Sequence, residues 1–262
     1  TQYFKLKFSI HYFILNKTTF FNKKSAQISK SFLAMQNNLK YRSLAIIPAR
    51  AGSKRLPGKN KKVLGGIPLI EHSVNYASLN PDIIDKIIIS TDDPAIKGLG
   101  LTEGIQVINR PACIAGNNAT TLSALQHVLE NINETYDFVI LLQPTNPLRP
   151  KNLLIDCWKT ILDTNSESLF TVSRNHRKFG KIENDNFKPF NYTFGQRSQE
   201  LEPLYYENGL LYIAKADMIK NGKLMDENSF PYIVDHPFAE VDIDEQVDFD
   251  YAEFLMNRID NQ

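Results

Sequence analysis

The sequence predicts an α/β fold built on a doubly wound, mostly parallel sheet with an inserted lobe. Short apolar runs alternate with longer segments of helical periodicity between residues 44 and 172, which is the pattern of successive βαβ units. The first run, residues 44–47, is apolar throughout and ends at Pro48, as is typical of a parallel strand buried on both faces. The alternation breaks between residues 173 and 208.

The individual elements follow from the apolar pattern and its flanking residues. Pro68 lies in the first turn of the first predicted helix, where proline is well tolerated. The predicted strands are residues 44–47, 86–90, 105–108, 137–143, 169–172 and 209–214. The predicted helices are residues 68–79, 94–103, 119–131, 150–162 and 244–259. The last helix is expected to have Val247, Phe254 and Leu255 on its apolar side.

Residues 173–208 are predicted to form an inserted lobe within a domain that covers residues 43–262. The segment is rich in Arg, Lys, Asn, Phe and Tyr, and it has no clear periodicity. Irregular segments of this length are usually functional loops or insertions rather than plain connections.

A basic leader, residues 1–42, precedes the predicted fold. It contains seven Lys, one Arg and no acidic residue, whereas the rest of the chain has 22 basic and 29 acidic residues. Three origins stay open: an upstream extension of the reading frame with Met35 as the start, which is favoured, a targeting segment, or an extra structured element. The leader is therefore not counted as part of the fold.

Composition excludes several classes of protein. The chain has 42% hydrophobic and 23% charged residues, which is ordinary for a globular domain. A mildly acidic globule is not typical of a nucleic-acid-binding protein, and no run approaches the roughly 20 apolar residues of a membrane span. Two cysteines do not make a disulfide framework, so a reducing, cytoplasmic location is expected.

The first candidate site is the loop of residues 49–60, which directly follows the first strand. Ligands of open α/β sheets bind at the carboxyl ends of strands, and basic side chains with exposed loop amides hold phosphates. The loop offers Arg50, Lys54, Arg55 and Lys59. It is not a Walker A loop, because five residues separate Gly52 from Gly58 and no Ser or Thr follows the lysine. A solvated basic turn is the alternative, and the position after the first strand favours phosphate binding.

The second candidate site is the acidic segment of residues 240–245. Alternate residues of an extended chain point to one side, so Asp242 and Asp244 could reach one cation. Mg²⁺ commonly binds to one or two carboxylates together with substrate phosphates and water. The alternative is that Asp244 and Glu245 stabilise the amino end of the last helix.

Residues 45–55 (AIIPARAGSKR) resemble the motif of CMP-sialic acid synthetases, the acylneuraminate cytidylyltransferases, and of their relatives that activate legionaminic, pseudaminic and 3-deoxy-manno-octulosonic acids. The resemblance runs from about residue 44 to the C-terminus. Further segments agree with it: residues 90–93 (STDD), Arg110-Pro111, residues 142–149 (LQPTNPLR) and residues 206–209 (YENG). In place of the two adjacent arginines that are more common in the family, this chain has Gln196-Arg197-Ser198-Gln199.

The resemblance implies a Rossmann-like nucleotidyltransferase that joins CTP to an acidic nine-carbon sugar with Mg²⁺, and that forms a homodimer through the inserted lobe. It assigns roles to specific positions. The catalytic residues would be Arg50, Lys59 and Asp242. Nucleotide binding would involve Ala49, Arg50, Gly52, Ser53, Lys59, Asn60 and Arg110. Sugar binding would involve Gln143, Arg197, Gln199, Tyr206 and Asn208. The metal would be held by Asp242 and Asp244.

Three rival functions are weighed against this one. A 3-deoxy-manno-octulosonate cytidylyltransferase is suggested by residues 55–59 (RLPGK), although Ser53-Lys54, Asn60 and the YENG run favour the acylneuraminate branch. A non-catalytic nucleotide-binding module would be expected to lack the acidic pair or Lys59, and both are present. A nucleic-acid-binding protein would depend on the leader and the loop alone.

Overall fold

The computed structural model describes residues 41–102, 104–116 and 118–259. The predicted leader therefore lies outside the described residues, except for Tyr41 and Arg42. Among the described helices, none is long and apolar enough to cross a membrane.

A seven-stranded sheet forms the centre of the described chain, in the order β11-β7-β10-β6-β1-β4-β5. Neighbouring strands are parallel except where β10 pairs antiparallel with β6 and β7. The strands are β1 Ser43–Pro48, β4 Lys86–Thr91, β5 Gln106–Asn109, β6 Phe138–Leu141, β7 Ser168–Asn175, β10 Leu204–Lys215 and β11 Phe230–Ile233. Two small hairpins add β2 Val63–Leu64 with β3 Ile67–Pro68, and β8 Gly180–Glu183 with β9 Asn186–Pro189. The predicted α/β class and mostly parallel sheet are confirmed.

Helices connect the parallel strands, as the alternation predicts. The described helices are α1 Leu69–Ser78, α2 Pro94–Thr102, α3 Thr121–Glu130, α4 Leu153–Thr164, α5 Ala216–Lys220 and α6 Gln246–Ile259. Residues 44–47 of β1 are fully buried, and this strand pairs with β4 on one side and β6 on the other. The apolar runs therefore form the central strands because they can bury both faces.

The apolar face of α6 differs from the prediction. Leu255 is buried, whereas Val247 and Phe254 are 66% and 51% exposed. Phe249 and Ala252 take the core positions. The helix also begins two residues later than predicted, because the Asp248 carboxylate accepts hydrogen bonds from the backbone N–H groups of residues 244 and 245, which is half of a capping box.

The stretch from residue 173 to residue 208 is more regular than its sequence suggests. Strand β7 continues to Asn175, β10 begins at Leu204, and the β8–β9 hairpin lies between them. Asn184 and Asp185 have φ angles of 49° and 60°, as in the two-residue turns that favour Asn and Asp. Ile182 and Phe187 pair across this hairpin and are both exposed, so the side of the hairpin that carries them is not buried in a core.

Candidate functional site

The carboxyl ends of β1, β4, β6 and β7 reach one edge of the sheet. Because β10 runs antiparallel, its first residues lie at the same edge, where Leu204 pairs with Asn175. Two clefts open there.

The first cleft, here called the loop cleft, has a volume of about 470 Å³. The second, here called the arm cleft, has about 420 Å³. The loop cleft is lined by Pro48, Arg50, Ser53, Lys54, Arg55, Lys59, Asn60, Arg110, Ala119, Thr120, Thr121, Gln143, Pro144, Thr145 and Asp244. The arm cleft is lined by Arg174, Asn175, His176, Arg177, Phe179, Tyr206, Glu207, Asn208, Ala239, Glu240 and Asp242.

The loop after β1 is held in a defined conformation by side chains. The Asn60 amide donates a 3.0 Å hydrogen bond to the Arg50 carbonyl oxygen. The N–H of Ala51 donates to Asp92 Oδ1 at 2.7 Å, and Arg50 Nη1 donates to the Gly116 carbonyl at 2.8 Å. These bonds fix the backbone of the loop against the ends of two neighbouring strands, so its basic side chains face one cleft.

Five cationic side chains line the loop cleft, namely Arg50, Lys54, Arg55, Lys59 and Arg110. Arg110 is only 6% exposed, and it donates to the Ser90 carbonyl at 2.8 Å and to Ser90 Oγ at 3.2 Å. Burial lowers the pKa of Arg110, and the nearby charge of Asp92 partly offsets that effect. Asp244 is the one acidic residue in this lining. Such an excess of fixed positive charge suits a polyphosphate.

Two predicted nucleotide contacts are not part of the cleft lining. Ala49 is buried; its N–H donates to the Ser90 carbonyl at 2.9 Å and its carbonyl accepts from Thr91 Oγ1 at 2.5 Å. Gly52 lies on the exposed turn of the loop. Ser53, Lys59 and Asn60, which were also assigned to nucleotide binding, line the cleft.

The acidic pair stands between the two clefts. Val241 and Ile243 are buried, so Asp242 and Asp244 point away from the core on one side. Asp244 nevertheless lines the loop cleft, and Asp242 lines the arm cleft. The pair therefore marks the border across which ligands of the two clefts would meet.

The two carboxylates have different partners. Asp244 accepts from Lys59 Nζ at 3.0 Å and pairs with Arg55. Asp242 is exposed to the arm cleft. Partial desolvation of its carboxyl, followed by the negative charge of Asp244, raises the pKa of Asp242 above its ordinary value, while Thr145 and Lys59 act in the opposite direction.

The donor set at this border fits a hard divalent cation. Two carboxylates facing one side, one of them under like-charge repulsion, would gain from a cation. Within the residues described, no group of three or more His, Cys, Asp or Glu side chains is placed to hold a metal by itself. Two carboxylates completed by phosphate and water oxygens are the arrangement typical of Mg²⁺.

The arm cleft contains part of the predicted sugar site. Tyr206 donates from its hydroxyl to Glu240 Oε1 at 2.8 Å. Asn208 is 5% exposed; its amide oxygen accepts from Thr171 Oγ1 at 2.6 Å and its amide nitrogen donates to Ser173 Oγ at 3.0 Å. The Asn208 side chain thus holds the strand in place.

The structure does not bring the other predicted sugar-binding residues together. Gln143 lines the loop cleft rather than the arm cleft. Arg197 and Gln199 are exposed and line neither cleft, and the Arg197 guanidinium is paired with Glu200 Oε1 at 2.5 Å.

Arg174 and Arg177 line the arm cleft and were missed by the sequence reasoning. They lie at the end of β7 and just beyond it, at the same edge as the loop after β1. The strand-end rule that selected Arg50 would have selected them as well.

Arg149 is a further residue that the sequence motif contained without a role. It is 6% exposed, and burial lowers its pKa to about 10. It donates to the carbonyl oxygens of Leu210 at 2.7 Å and Gln143 at 2.8 Å, and to Ser73 Oγ at 3.1 Å. Arg149 thus fastens the loop that follows β6 to strand β10.

The sequence is similar to those of several characterised enzymes. The chain is 32% identical to CMP-N,N'-diacetyllegionaminic acid synthase of Legionella pneumophila, with 82% of this chain and 96% of that protein covered. It is 30% identical to pseudaminic acid cytidylyltransferase of Campylobacter jejuni, with the same coverage. It is 29% identical to N-acylneuraminate cytidylyltransferase of Streptococcus agalactiae over 79% of this chain, and there it spans about half, 51%, of the longer protein.

Solved structures share the fold. A CMP:2-keto-3-deoxy-manno-octonic acid synthetase complexed with CTP aligns with a TM-score of 0.62 at 16% identity, over 83% of this chain and 99% of that one. A 4-diphosphocytidyl-2C-methyl-D-erythritol synthase aligns with the same TM-score at 12% identity, over 84% of this chain and 100% of that one.

The cytidylyltransferase sequence profile matches residues 44–260, which include the basic loop, both clefts and the acidic pair. The chain therefore belongs to the cytidylyltransferase family.

Proposed function

We propose that the chain transfers CMP from CTP to a nonulosonic acid of the sialic acid type, with release of pyrophosphate. The observation that carries this proposal is the acidic pair, which borders a strongly cationic cleft on one side and a cleft containing Arg174 and Arg177 on the other. The names of the similar proteins, which concern diacetyllegionaminic, pseudaminic and N-acylneuraminic acids, support this class of acceptor.

In this proposal the loop cleft holds the triphosphate of CTP. Arg50, Lys59 and Arg110 would neutralise its charge, and the buried Lys59 would also keep Asp244 oriented. A sugar hydroxyl attacks the α-phosphorus, and the bond to the bridging oxygen of pyrophosphate breaks. Catalysis of such transfers comes mainly from positioning and charge stabilisation.

Asp242 and Asp244 would hold Mg²⁺, which would supply Lewis-acid stabilisation of phosphate charge when bound. Ser53 and Asn60 line the same cleft and would help to shape the nucleotide site. Gln143 also lines the loop cleft, so in this proposal it contacts the acceptor from the side of the bound nucleotide.

The arm cleft would bind the acidic sugar. Arg174 and Arg177 can pair with the sugar carboxylate, because guanidinium groups bind carboxylates through two parallel hydrogen bonds. Tyr206 and Glu240 offer a hydrogen-bonded pair for sugar hydroxyls. Arg197 and Gln199, which lie outside this cleft, would take part only through a contact with a second subunit.

We also propose a homodimer through the inserted lobe, residues 173–208. Phe190 and Phe194 are 70% and 73% exposed there, and Phe179, Ile182 and Phe187 are exposed as well. The rings of Phe187 and Phe194 lie 6.5 Å apart, and a group of exposed apolar side chains is typical of a protein interface. Sedimentation of the wild type and of a Phe194→Asp variant tests this: the variant should shift toward the monomer.

The cytoplasm is the proposed compartment. Cys113 and Cys157 are both free thiols, which is the state that reducing compartments maintain.

The decisive experiment measures CTP-dependent pyrophosphate release with a panel of sugar acids and Mg²⁺. N-acetylneuraminic, diacetyllegionaminic and pseudaminic acids should support release, and 3-deoxy-manno-octulosonic acid should be poor. Strong release with the octulosonate alone would instead identify the rival cytidylyltransferase. CTP binding without release for any acid would identify a non-catalytic nucleotide-binding module.

A further inference from the structure

Asn146 lies at the junction of three segments that carry site residues. It belongs to the loop after β6, it is 1% exposed, and both protons of its amide are used. Its Nδ2 atom donates to the carbonyl oxygen of Asn208 at 3.0 Å and to that of Val241 at 2.9 Å. Asn208 lines the arm cleft, and Val241 directly precedes Asp242.

The strand next to Asn146 is shaped to receive it. The pairing of β10 with β7 shifts between Glu207 and Tyr212, and Gly209 lies within that bulge with a φ angle of +78°. A Cβ atom on Gly209 would lie 2.8 Å from Asn146 Oδ1. Position 209 therefore requires glycine for two reasons: its backbone has a positive φ angle, and the Asn146 amide approaches it closely.

The acidic segment is fastened to the same loop on both sides of Asp242. Asn146 holds the carbonyl of Val241, and the N–H of Ile243 donates to the Thr145 carbonyl at 2.7 Å. Thr145 Oγ1 in turn donates to Asn146 Oδ1 at 3.1 Å. Asp242 thus lies between two residues whose backbone positions are set by Thr145 and Asn146.

We propose that Asn146 is a positioning residue that sets the Asp242 carboxylate relative to the β10 bulge, so that ligands of the two clefts meet in one fixed geometry. The inference rests on the proposed function for its kinetic consequence. Asn146 lines neither cleft, so it acts through the carbonyls that it holds. A buried amide that bridges two segments in this way is costly to remove, because two carbonyl oxygens lose their partner.

Asn80 provides a matched control. It is 7% exposed, and its Nδ2 donates a 2.8 Å hydrogen bond to the Tyr76 carbonyl at the end of α1, away from both clefts. Asn146→Ala removes a buried amide that serves two backbone carbonyls, and Asn80→Ala removes one that serves a single backbone carbonyl. A purely structural role for Asn146 would make the two variants alike: lower thermal stability with unchanged kinetics below the unfolding temperature.

We expect Asn146→Ala to change kcat and the KM for the sugar acid but not the dissociation constant of CTP. In Asn146→Ala, kcat should fall and KM for the sugar acid should rise, each by about tenfold or more, the scale of one or two lost buried hydrogen bonds. The dissociation constant of CTP should stay within about twofold, since the cations of the loop cleft do not contact Asn146. Asn80→Ala should leave all three constants within about twofold.

If Asn146→Ala does not fold, Asn146→Ser, which keeps one donor, should change the same constants by a smaller factor. Unchanged kcat and sugar KM in a folded Asn146 variant would overturn the proposal.

A second readout does not require turnover. Hydrogen exchange by NMR should show the amides of Ile243 and Leu210 exchanging about tenfold faster or more in the Asn146 variant, while the amide of Ile46 in β1 stays unchanged. Asn80→Ala should not affect Ile243 or Leu210. If the wild type releases no pyrophosphate with any acid, the proposed function fails, and this exchange measurement still decides the inference: equal protection of Ile243 and Leu210 in the variant and the wild type would refute it.

Discussion

Lys59 Nζ donates a 3.0 Å hydrogen bond to Asp244 Oδ1 and a 2.7 Å hydrogen bond to the neighbouring Ile243 carbonyl oxygen. The basic loop after β1 and the acidic segment before α6 are thereby joined, although they lie at opposite ends of the described chain. The Lys59 side chain is 10% exposed and that of Asp244 is 34% exposed. The contact therefore links the predicted phosphate site to the predicted metal site.

Asp244→Asn should destabilise the protein, because the buried Lys59 ammonium loses its carboxylate partner and keeps only the Ile243 carbonyl. We expect a loss of about 1–3 kcal/mol in the free energy of unfolding, together with loss of turnover. Urea unfolding measures the first effect. The control is Asp217→Asn, which breaks a surface pair with Lys220 in which Asp217 is 84% exposed; it should change stability by less than about 1 kcal/mol. Equal effects of the two variants would contradict the structural role assigned to Asp244.

Asp242→Asn should separate activity from stability. Its turnover should fall by about 100-fold or more, because Lewis-acid stabilisation is worth several kcal/mol. The pKa of Asp242 is raised above its ordinary value of 3.8 in the folded protein. As the pH rises above 3.8, ionisation of Asp242 therefore lowers the free energy of unfolding. At pH 7 the variant should have a Tm equal to or above that of the wild type, and the difference should vanish in acid, where Asp242 is protonated. Melting curves from pH 3 to pH 7 check this, and a Tm below that of the wild type at pH 7 would refute it.

Arg50→Ala should weaken binding of CTP, and Arg177→Ala should weaken binding of the sugar acid. Arg50 lines the loop cleft and Arg177 the arm cleft. Losing one charge-assisted contact with a phosphate should raise the dissociation constant of CTP by about 10- to 100-fold in Arg50→Ala, with little change for Arg177→Ala. Arg177→Ala should instead raise KM for the sugar acid by a similar factor. Calorimetric titration of CTP and pyrophosphate-release kinetics separate the two, and a loss of CTP affinity in both variants would show that the clefts are assigned wrongly.

Gly209→Ala should cost more than Gly222→Ala, although both glycines have positive φ angles, +78° and +84°. A Cβ on Gly222 meets nothing within 4 Å, whereas on Gly209 it would lie 2.8 Å from Asn146 Oδ1. Both variants incur backbone strain of about 1 kcal/mol or more, and Gly209→Ala should add about 1–3 kcal/mol for the steric clash. The difference between the two free energies of unfolding measures the contact, and a difference near zero would show that the Asn146 side chain moves away without cost.

The sequence predicted the parallel core and the basic loop well, because both depend on local pattern. Residues 44–47 are apolar at every position and form a central strand, and the loop that follows lies at the strand end where ligands bind. The apolar side of helix α6 was predicted only in part, since Leu255 is buried but Val247 and Phe254 are exposed. Val247 and Phe249 fit the helical period about equally well, and only packing against the β2–β3 region decides that Phe249 is buried.

The arm cleft could not be assembled from sequence in the same way. Arg177 and Tyr206 lie almost 30 residues apart and meet only through the antiparallel pairing of β7 with β10. That pairing depends on the bulge at Gly209 and on Asn208, whose amide serves Thr171 and Ser173. These are long-range interactions, and they leave no periodic pattern in the sequence. The position of Arg197 and Gln199 outside both clefts likewise depends on long-range packing, which the sequence pattern does not show.

Strand β10, the antiparallel member of the sheet, has a consequence for how the enzyme could diversify. Because β10 is antiparallel, its first residues lie at the edge where β1 and β4 end, and the two clefts at this edge are therefore lined mainly by separate stretches of the chain. The acidic pair contributes one residue to each cleft. Replacement of residues 174–208 could therefore alter the choice of acceptor while the handling of CTP is inherited intact.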